Sequence, residues 1–191
     1  MPDSPALQAL DARRSVPALQ LGAPGPDPET LLRMLASAVR VPDHGKMVPY
    51  RFLKIDGDAR HSLGAFLAER SRARDPQASD AQVEKDRMRF SHAPLIITVI
   101  ARPRPNPKVP EQEQLMTVGC VCFALMQAAQ ALGFGAQWLT AWMAFDPAVQ
   151  AHLGLAEGER IAGFIHIGTP KLLPPERERP DPATLLQDWE G

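Results

Sequence analysis

The chain has 191 residues, the length of about one domain, and it carries 21 basic and 22 acidic side chains. This near-balance argues against a nucleic-acid-binding protein, which normally shows a strong basic excess. Hydrophobic residues make up 45% of the chain, but no apolar run reaches the roughly 18 residues of a membrane span, and the N-terminus has no apolar signal core. We therefore expect one cytoplasmic domain over residues 1–191, with an extended tail over about 172–191.

The first half of the chain predicts helices separated by strands. Residues 5–13 have the pattern of a short helix that ends at two arginines and a serine. A second helix is predicted to begin at Pro28, with Asp27 as its N-cap, and to end near Val41 because Pro42 disfavours its continuation. The further elements predicted here are a strand at 50–56, helices at 58–74 and 78–90, and a buried strand at 95–101.

The helix predicted at 110–132 is apolar almost all round from Leu115 onward. A helix of this kind lies in the centre of a core or against a partner subunit. Gly133 suits the left-handed position after its end, and strands are predicted at 136–141 and 160–168. Strands separated by helices without regular βαβ alternation predict the α+β class, with a mixed central sheet flanked by helices.

Cys120 and Cys122 lie two residues apart in this helix, so they point to different sides and cannot easily form a disulfide. No second pair of ligands stands at zinc spacing, and we expect no metal site. We interpret both cysteines as small buried apolar residues.

Arg13, Arg14 and Ser15 form the first group of residues that could carry chemistry. Guanidinium groups and a hydroxyl at a helix end can hold a phosphate through charge-assisted hydrogen bonds. Paired arginines at a helix C-terminus also complement the helix dipole, so these residues alone leave both interpretations open.

The second group lies in the loop 39–50, where Arg40, His44 and Lys46 fall within seven residues. Such a loop can surround a planar, polar heterocycle with hydrogen-bond donors. A solvated turn between prolines is the alternative, and the motif alone does not decide between them.

The third group is the segment 133–140, GFGAQWLT. Its small residues allow the backbone to approach a ligand closely, and Trp138 and Thr140 follow on a predicted strand. The alternative is a tight turn with Trp138 in the core. The two glycines come after a helix and before a strand, which is the wrong order for a dinucleotide-binding fingerprint.

Taken in order, these motifs resemble the FMN-dependent nitroreductase family, and within it the compact subgroup of minimal nitroreductase-like enzymes. The resemblance extends over roughly residues 5–185 and includes Ala-Pro-Leu-Ile-Ile at the buried strand and Gly-Thr-Pro after the last strand. It implies a nitroreductase-like fold and a homodimer with two FMN molecules between the subunits. The apolar helix would form the interface, and the tail would supply further apolar anchors, namely Leu185, Leu186 and Trp189.

The most specific parts of the resemblance are Arg-Arg-Ser and Arg-x-Pro-Asp-His. By this resemblance Arg13, Arg14 and Ser15 are expected to hold the phosphate and ribityl end of FMN. Arg40 and His44 are expected to reach the same cofactor from the other subunit.

The resemblance also assigns the edge of the flavin ring. Trp138, Leu139 and Thr140 are expected to line the isoalloxazine and offer backbone groups to it. Relatives in the subgroup carry a basic residue at the position of Leu139, so the leucine removes a charge near the flavin. The nicotinamide contact would fall on residues 128–133, which read as a buried helix end.

The resemblance implies an oxidoreductase that passes hydride from NADH or NADPH through FMN to an electron-poor acceptor such as a nitroaromatic or a quinone. The chemistry belongs to the flavin, so we expect no catalytic side chain. The expected cycle is ping-pong, with donor and acceptor using the same face in turn. Two alternatives stay open: an FMN-binding protein without nicotinamide turnover, and an FMN-dependent dehydrogenase of a small metabolite.

Overall fold

The computed structural model describes residues 4–191, which contain six α-helices and five β-strands. The helices are α1 (Pro5–Asp11), α2 (Pro28–Ala38), α3 (Asp58–Arg74), α4 (Asp80–Met88), α5 (Glu111–Ala131) and α6 (Pro147–His152). The strands are β1 (Leu21–Gly22), β2 (Tyr50–Asp56), β3 (Leu95–Ala101), β4 (Gly135–Leu139) and β5 (Arg160–Pro170).

The five strands form one sheet in which β5 is central. It pairs with β1, β3 and β4, and β3 pairs in turn with β2 at the edge. The predicted α+β class is confirmed, but every pairing is antiparallel, so the expected mixed sheet is an antiparallel one. The connection between β2 and β3 explains why these two strands are antiparallel. Helices α3 and α4 pack together as a hairpin, so the chain comes back to the end of the sheet where β2 finished.

Local sequence signals explain where the helices begin and end. The Asp27 carboxylate accepts a hydrogen bond from the backbone N–H of Thr30 at 2.7 Å, and Pro28 occupies the first helical position of α2. This helix ends at Ala38, three residues before the predicted end. Gly133 follows α5 with a φ of 82°, in the left-handed conformation that glycine tolerates best.

The sheet separates two apolar clusters, because neighbouring strand residues point to opposite faces. One face packs against α5 and α2, and its cluster includes Ile97, Val99 and Ile165. The other face packs against α3 and α6 and includes Ile96 and Phe164. Both faces are therefore covered, which agrees with the continuous apolar run of β3.

Helix α5 alone, within residues 4–191, has the length and composition of a membrane-spanning helix, yet half of its most apolar window is buried inside the domain. Its outward side carries Met116, Cys120 and Phe123, all exposed and spaced along one stripe of the helix. Cys122 is buried as expected, whereas the expectation that Cys120 is buried was wrong. Residues two positions apart face different sides of a helix, and only the side of α5 that carries Cys122 packs against the sheet.

The tail after β5 runs along the surface and leaves its apolar side chains open to solvent. Leu185, Leu186 and Trp189 are 70%, 77% and 91% exposed. These predicted anchors are therefore not packed against any other part of the chain that the structure describes.

Candidate functional site

The Arg13–Ser15 segment lies beside β4. Directly after it, the backbone N–H of Val16 donates to the carbonyl of Ala136 at 3.0 Å. Gln137 then accepts a hydrogen bond from the backbone N–H of Ala18 at 2.6 Å, through its side-chain oxygen. The structure thus brings the first predicted group next to the strand that carries the third.

Within this segment the two arginines have different partners. The Arg13 guanidinium lies 3.4 Å from the Ser15 hydroxyl, and it forms no ion pair within residues 4–191. The Arg14 guanidinium instead donates to Glu176 of the tail at 2.9 Å. Hydrogen bonds from Arg14, then from the Arg177 backbone and from Arg179, lower the pKa of Glu176 to about 2. Arg13 and Ser15 are therefore open to an anion, while Arg14 already has one.

At the end of β4 the chain turns sharply, and the three residues predicted to line a flavin lie there. The indole of Trp138 covers Gly163 of β5, and its N–H donates to the Ala162 carbonyl at 3.0 Å. Any side chain at Gly163 would overlap this ring, because a Cβ there would lie 2.0 Å from the indole nitrogen. Leu139 points to the opposite face of the sheet, as alternation requires, and Thr140 follows the strand half-buried.

A cavity of about 270 Å³ opens on the side of the sheet that Leu139 faces. Three of the residues that line it have basic side chains, namely Lys85, Arg89 and His92, and we call it the basic cavity. The rest of its lining comes from Pro17, Ala18, Leu19, Gln137 and Leu139. Its lining begins at Pro17, two residues after Ser15, and includes Leu139 of the third predicted group, but Arg13, Arg14 and Ser15 do not line it.

The charges of the basic cavity are only partly compensated. Arg89 donates to the buried Asp86 carboxylate at 2.8 Å, whereas Lys85 has no ion pair among the described residues. Burial, and then the nearby Lys171, lower the pKa of His92. The site therefore keeps a positive charge beside an apolar strand end, an arrangement that suits a planar anion.

A buried histidine lies next to this cavity. His166 stands opposite Gln137 in the β4–β5 register and is fully buried, and neither ring nitrogen has a hydrogen-bond partner among residues 4–191. Burial, with smaller contributions from His92 and Arg89, lowers its pKa to about 4, so the imidazole is neutral near pH 7.

The sequence analysis missed the basic cavity. Lys85 lies on α4, Arg89 follows four residues later as the C-cap of this helix, and His92 comes three residues after it. This spacing indicates a common helix face, but α4 is charged on most sides and its sequence does not distinguish this face from a solvated one. Gln130 and Gln137 accept hydrogen bonds from the backbone N–H groups of Arg14 and Ala18, and their sequence positions gave no signal of this role.

Arg40 and His44 lie far from this site in the same chain. His44 contacts Glu113 in the first turn of α5 at 2.7 Å, whereas Gln130, near the last residue of that helix, accepts from the backbone of Arg14. Glu113 and Gln130 are 17 residues apart, which corresponds to about 25 Å along the helix axis. The structure therefore does not bring the second predicted group to the other two within one subunit.

The residues expected to contact a nicotinamide, 128–133, form the end of α5. Ala128 and Ala129 are buried against the sheet, and Gln130 is engaged with Arg14 as described above. Leu132 and Gly133 are exposed. A nicotinamide contact at this segment stays a prediction.

Comparison with known proteins gives a consistent family. The family model described as "Nitroreductase family" matches residues 10–169. YdjA of Escherichia coli K12, named as a candidate NAD(P)H nitroreductase, is 39% identical over 167 residues, which are 87% of this chain and 89% of that protein.

Solved structures agree with this result at the level of fold. A nitroreductase-like family protein from Bacillus cereus superposes with a TM-score of 0.82 at 22% identity, covering 100% of this chain and 99% of the other. A nitroreductase from Desulfovibrio desulfuricans, solved in complex with FMN, gives a TM-score of 0.75 at 22% identity, with 97% and 98% covered. From the family match and its relative in Escherichia coli, the chain belongs to the nitroreductase family.

Proposed function

We propose that this protein is an FMN-dependent NAD(P)H oxidoreductase that acts as a homodimer. The observation that carries this proposal is that two features lie beside β4. One is the Arg13–Ser15 segment, in which Arg13 has no ion pair within residues 4–191, and the other is the basic cavity that Leu139 lines. The name of the Escherichia coli relative and the FMN complex of the Desulfovibrio structure support the donor and the cofactor.

The residues present fit FMN chemically. Its phosphate is a dianion, which matches the open guanidinium of Arg13 and the hydroxyl of Ser15. Its ring is planar and apolar with one polar edge, which matches a cavity that has a leucine on one side and Lys85 on the other. When bound, FMN supplies the capacity to accept and donate hydride, and the protein supplies binding, orientation and charge.

The charge of Lys85 gives the cavity a second role. Reduced flavin is anionic, so a cation near the polar edge of the ring favours reduction. Neutral His166 beneath the cavity adds no charge but keeps the wall desolvated, which strengthens the effect of the lysine. No side chain in this assignment is required as a general acid.

A second copy completes the site in this proposal. His44 contacts the first turn of α5, with Arg40 four residues before it in the chain, whereas Arg14 of the Arg13–Ser15 segment bonds to Gln130 near the end of that helix. In an isologous dimer with antiparallel α5 helices, the start of one helix lies beside the end of the other. The exposed apolar stripe formed by Met116, Cys120 and Phe123 lies on that helix and would become buried.

Donor and acceptor then share one opening above the flavin. We propose ping-pong turnover, in which the nicotinamide leaves before an electron-poor acceptor such as a nitroaromatic or a quinone enters. Initial rates against one substrate, at several fixed concentrations of the other, are expected to give parallel double-reciprocal lines. Intersecting lines would contradict this order.

The absorption spectrum of the purified protein tests the function directly. We expect flavin bands that bleach under anaerobic conditions when NADPH or NADH is added, and that return when a quinone is added. The nicotinamide that bleaches them faster is the donor. A protein that takes up no FMN would contradict the proposed site.

One residue favours a second candidate function. Leu139 places no charge at the end of β4, where the resemblance to the minimal nitroreductase-like subgroup leads us to expect a basic side chain. If the flavin bands persist with both nicotinamides, the protein binds FMN without nicotinamide turnover, or it oxidises a small metabolite instead. Bleaching by such a metabolite would identify the dehydrogenase.

A further inference from the structure

The loop 43–48, between α2 and β2, holds three residues in the left-handed region. Gly45, Lys46 and Val48 have φ angles of 68°, 51° and 46°. Glycine adopts this conformation readily, but for a β-branched valine it is an outlier. Such residues persist only where their surroundings hold them, and they concentrate at ligand contacts.

The carboxylate of Asp43 holds the loop from inside. One of its oxygens accepts a hydrogen bond from the backbone N–H of Met47 at 3.0 Å, and the other accepts from the N–H of Val48 at 2.8 Å. Its own carbonyl accepts from the N–H of Lys46 at 3.1 Å. Both carboxylate oxygens are therefore used to fix the strained end of the loop.

The proline-rich segment 102–108 holds the loop from outside. The Arg104 guanidinium donates to the Met47 carbonyl, and Arg102 donates to the Val48 carbonyl at 3.4 Å. This segment is itself tied to α5, because the buried Gln114 side chain exchanges two hydrogen bonds with the Arg104 backbone, at 2.9 and 2.8 Å. The loop thus has a defined shape that is anchored to the start of α5.

The loop presents its side chains to solvent rather than to its own core. Lys46 is exposed and has no ion pair among the described residues, and Val48 is 43% exposed. A rigid, strained backbone that buries none of its tip does little for the stability of its own subunit. It does, however, prepare a cation and an apolar side chain for contact with another surface.

We propose that Asp43 is a positioning residue, which holds the loop 43–48 so that Lys46 contacts the anionic part of FMN bound to the partner subunit. The inference rests on the proposed function, because it requires that FMN binds and that a second copy completes the site. It goes beyond that function by adding two residues, Asp43 and Lys46, and by assigning a purpose to the strain.

Titration of FMN into apoprotein, followed by flavin fluorescence, tests the inference together with thermal unfolding and the oligomeric state. Asp43→Ala removes both acceptors and is expected to weaken FMN binding about tenfold or more. Asp43→Asn keeps one acceptor oxygen and should recover part of the affinity. Asp75→Ala is the matched control, since Asp75 also accepts a backbone N–H in an exposed loop, from Gln77 at 3.0 Å, but lies on the α3–α4 connection.

Val48→Gly separates positioning from stability. Glycine relieves the left-handed strain, so the melting temperature should stay level or rise, while the looser loop should bind FMN about threefold or more weakly. A merely structural loop would not give weaker binding together with unchanged or higher stability.

Lys46→Met tests the contact itself, with FMN and riboflavin as probes. Weaker binding of FMN alone assigns Lys46 to the phosphate and supports the contact, whereas equal weakening of FMN and riboflavin would contradict a contact with the anionic part of FMN. Asp43→Ala and Lys46→Met proteins that bind FMN as tightly as the unmodified chain would overturn the inference. If the unmodified chain itself does not bind FMN, the proposed function fails first.

Discussion

At the scale of single residues, neighbouring arginines of the same motif have different environments. Arg13 is open and lies beside the Ser15 hydroxyl, whereas Arg14 is neutralised by Glu176 of the tail. The resemblance to the nitroreductase family assigns both to the phosphate and ribityl end of FMN. The structure gives a physical reason to separate them, because a guanidinium already paired with a carboxylate has less to gain from a second anion.

The Arg13→Ala, Ser15→Ala double variant should therefore lose FMN affinity by about a hundredfold, since it removes one charge-assisted and one neutral hydrogen bond. The measurement is the dissociation constant of FMN from fluorescence titration. Arg14→Ala is the matched control and should change this constant much less. Equal losses in the two proteins would mean that Glu176 releases Arg14 when FMN binds.

His166 makes stability depend on pH. The folded protein keeps this imidazole neutral down to about pH 4, whereas the unfolded chain takes up a proton below its ordinary pKa of 6.5. The contribution of this group to the free energy of unfolding is therefore lost as the pH falls from 6.5 to 4. The loss over this range is about 3 kcal/mol. Urea unfolding of the protein at several pH values in this range measures it.

His166→Leu should flatten this pH dependence without lowering stability at pH 7, because leucine leaves no unpartnered polar atom in the core. His61→Gln, at an exposed position on α3, is the control and should keep the slope. A slope unchanged by His166→Leu would assign the acid sensitivity to other groups.

At the scale of elements, the close approach of α3 and α4 depends on one glycine. A Cβ at Gly64 would lie 2.2 Å from the carbonyl oxygen of Arg87, a backbone atom that cannot rotate away. The contact matters for the site, because α4 carries Lys85, and its C-cap residue Arg89, into the basic cavity. Neither the length nor the polarity of the two predicted helices revealed this contact.

Gly64→Ala should destabilise the protein by about 1–3 kcal/mol, since the overlap exceeds the gain in helix propensity. It should also weaken FMN binding, because α4, which carries Lys85, must move away from α3. Urea unfolding and FMN titration measure the two effects. Ser62→Ala, on the exposed side of the same helix, should change stability by less than about 0.5 kcal/mol.

At the scale of the whole molecule, the two groups of predicted site residues lie at opposite ends of α5. This separation makes a sharp prediction about the proposed dimer. The variant Arg13→Ala, Ser15→Ala lacks one half of each site, and the variant Arg40→Ala, His44→Ala lacks the other half. If the halves come from different subunits, a mixed dimer has one intact and one doubly defective site.

Co-expression of the two variants with different affinity tags allows the mixed dimer to be purified. It should bind one FMN per dimer with the affinity of the unmodified protein, while each parent dimer binds weakly at both sites. If all four residues act within one subunit, the mixed dimer has no intact site and shows no recovery. Mass and stoichiometry are measured by light scattering and by flavin absorbance.

The sequence by itself determined most of the local structure and the family. Strands at 50–56 and 95–101 and the helix at 58–74 were predicted with the bounds that the structure has. They were predictable because hydrophobic period, proline and capping residues act within a few residues of the element that they define. The motifs also placed the chain in the nitroreductase family.

Only the tertiary structure decided the antiparallel sheet, the exposure of Cys120 and the basic cavity. It also decided the pairing of Arg14 with Glu176, 162 residues apart in the chain, and the strained loop held by Asp43. Each of these depends on contacts between segments that are distant in sequence, whose side chains carry no mutual signal along one chain. A cavity, a neutralised charge or an unpartnered imidazole exists only once the fold has brought its walls together.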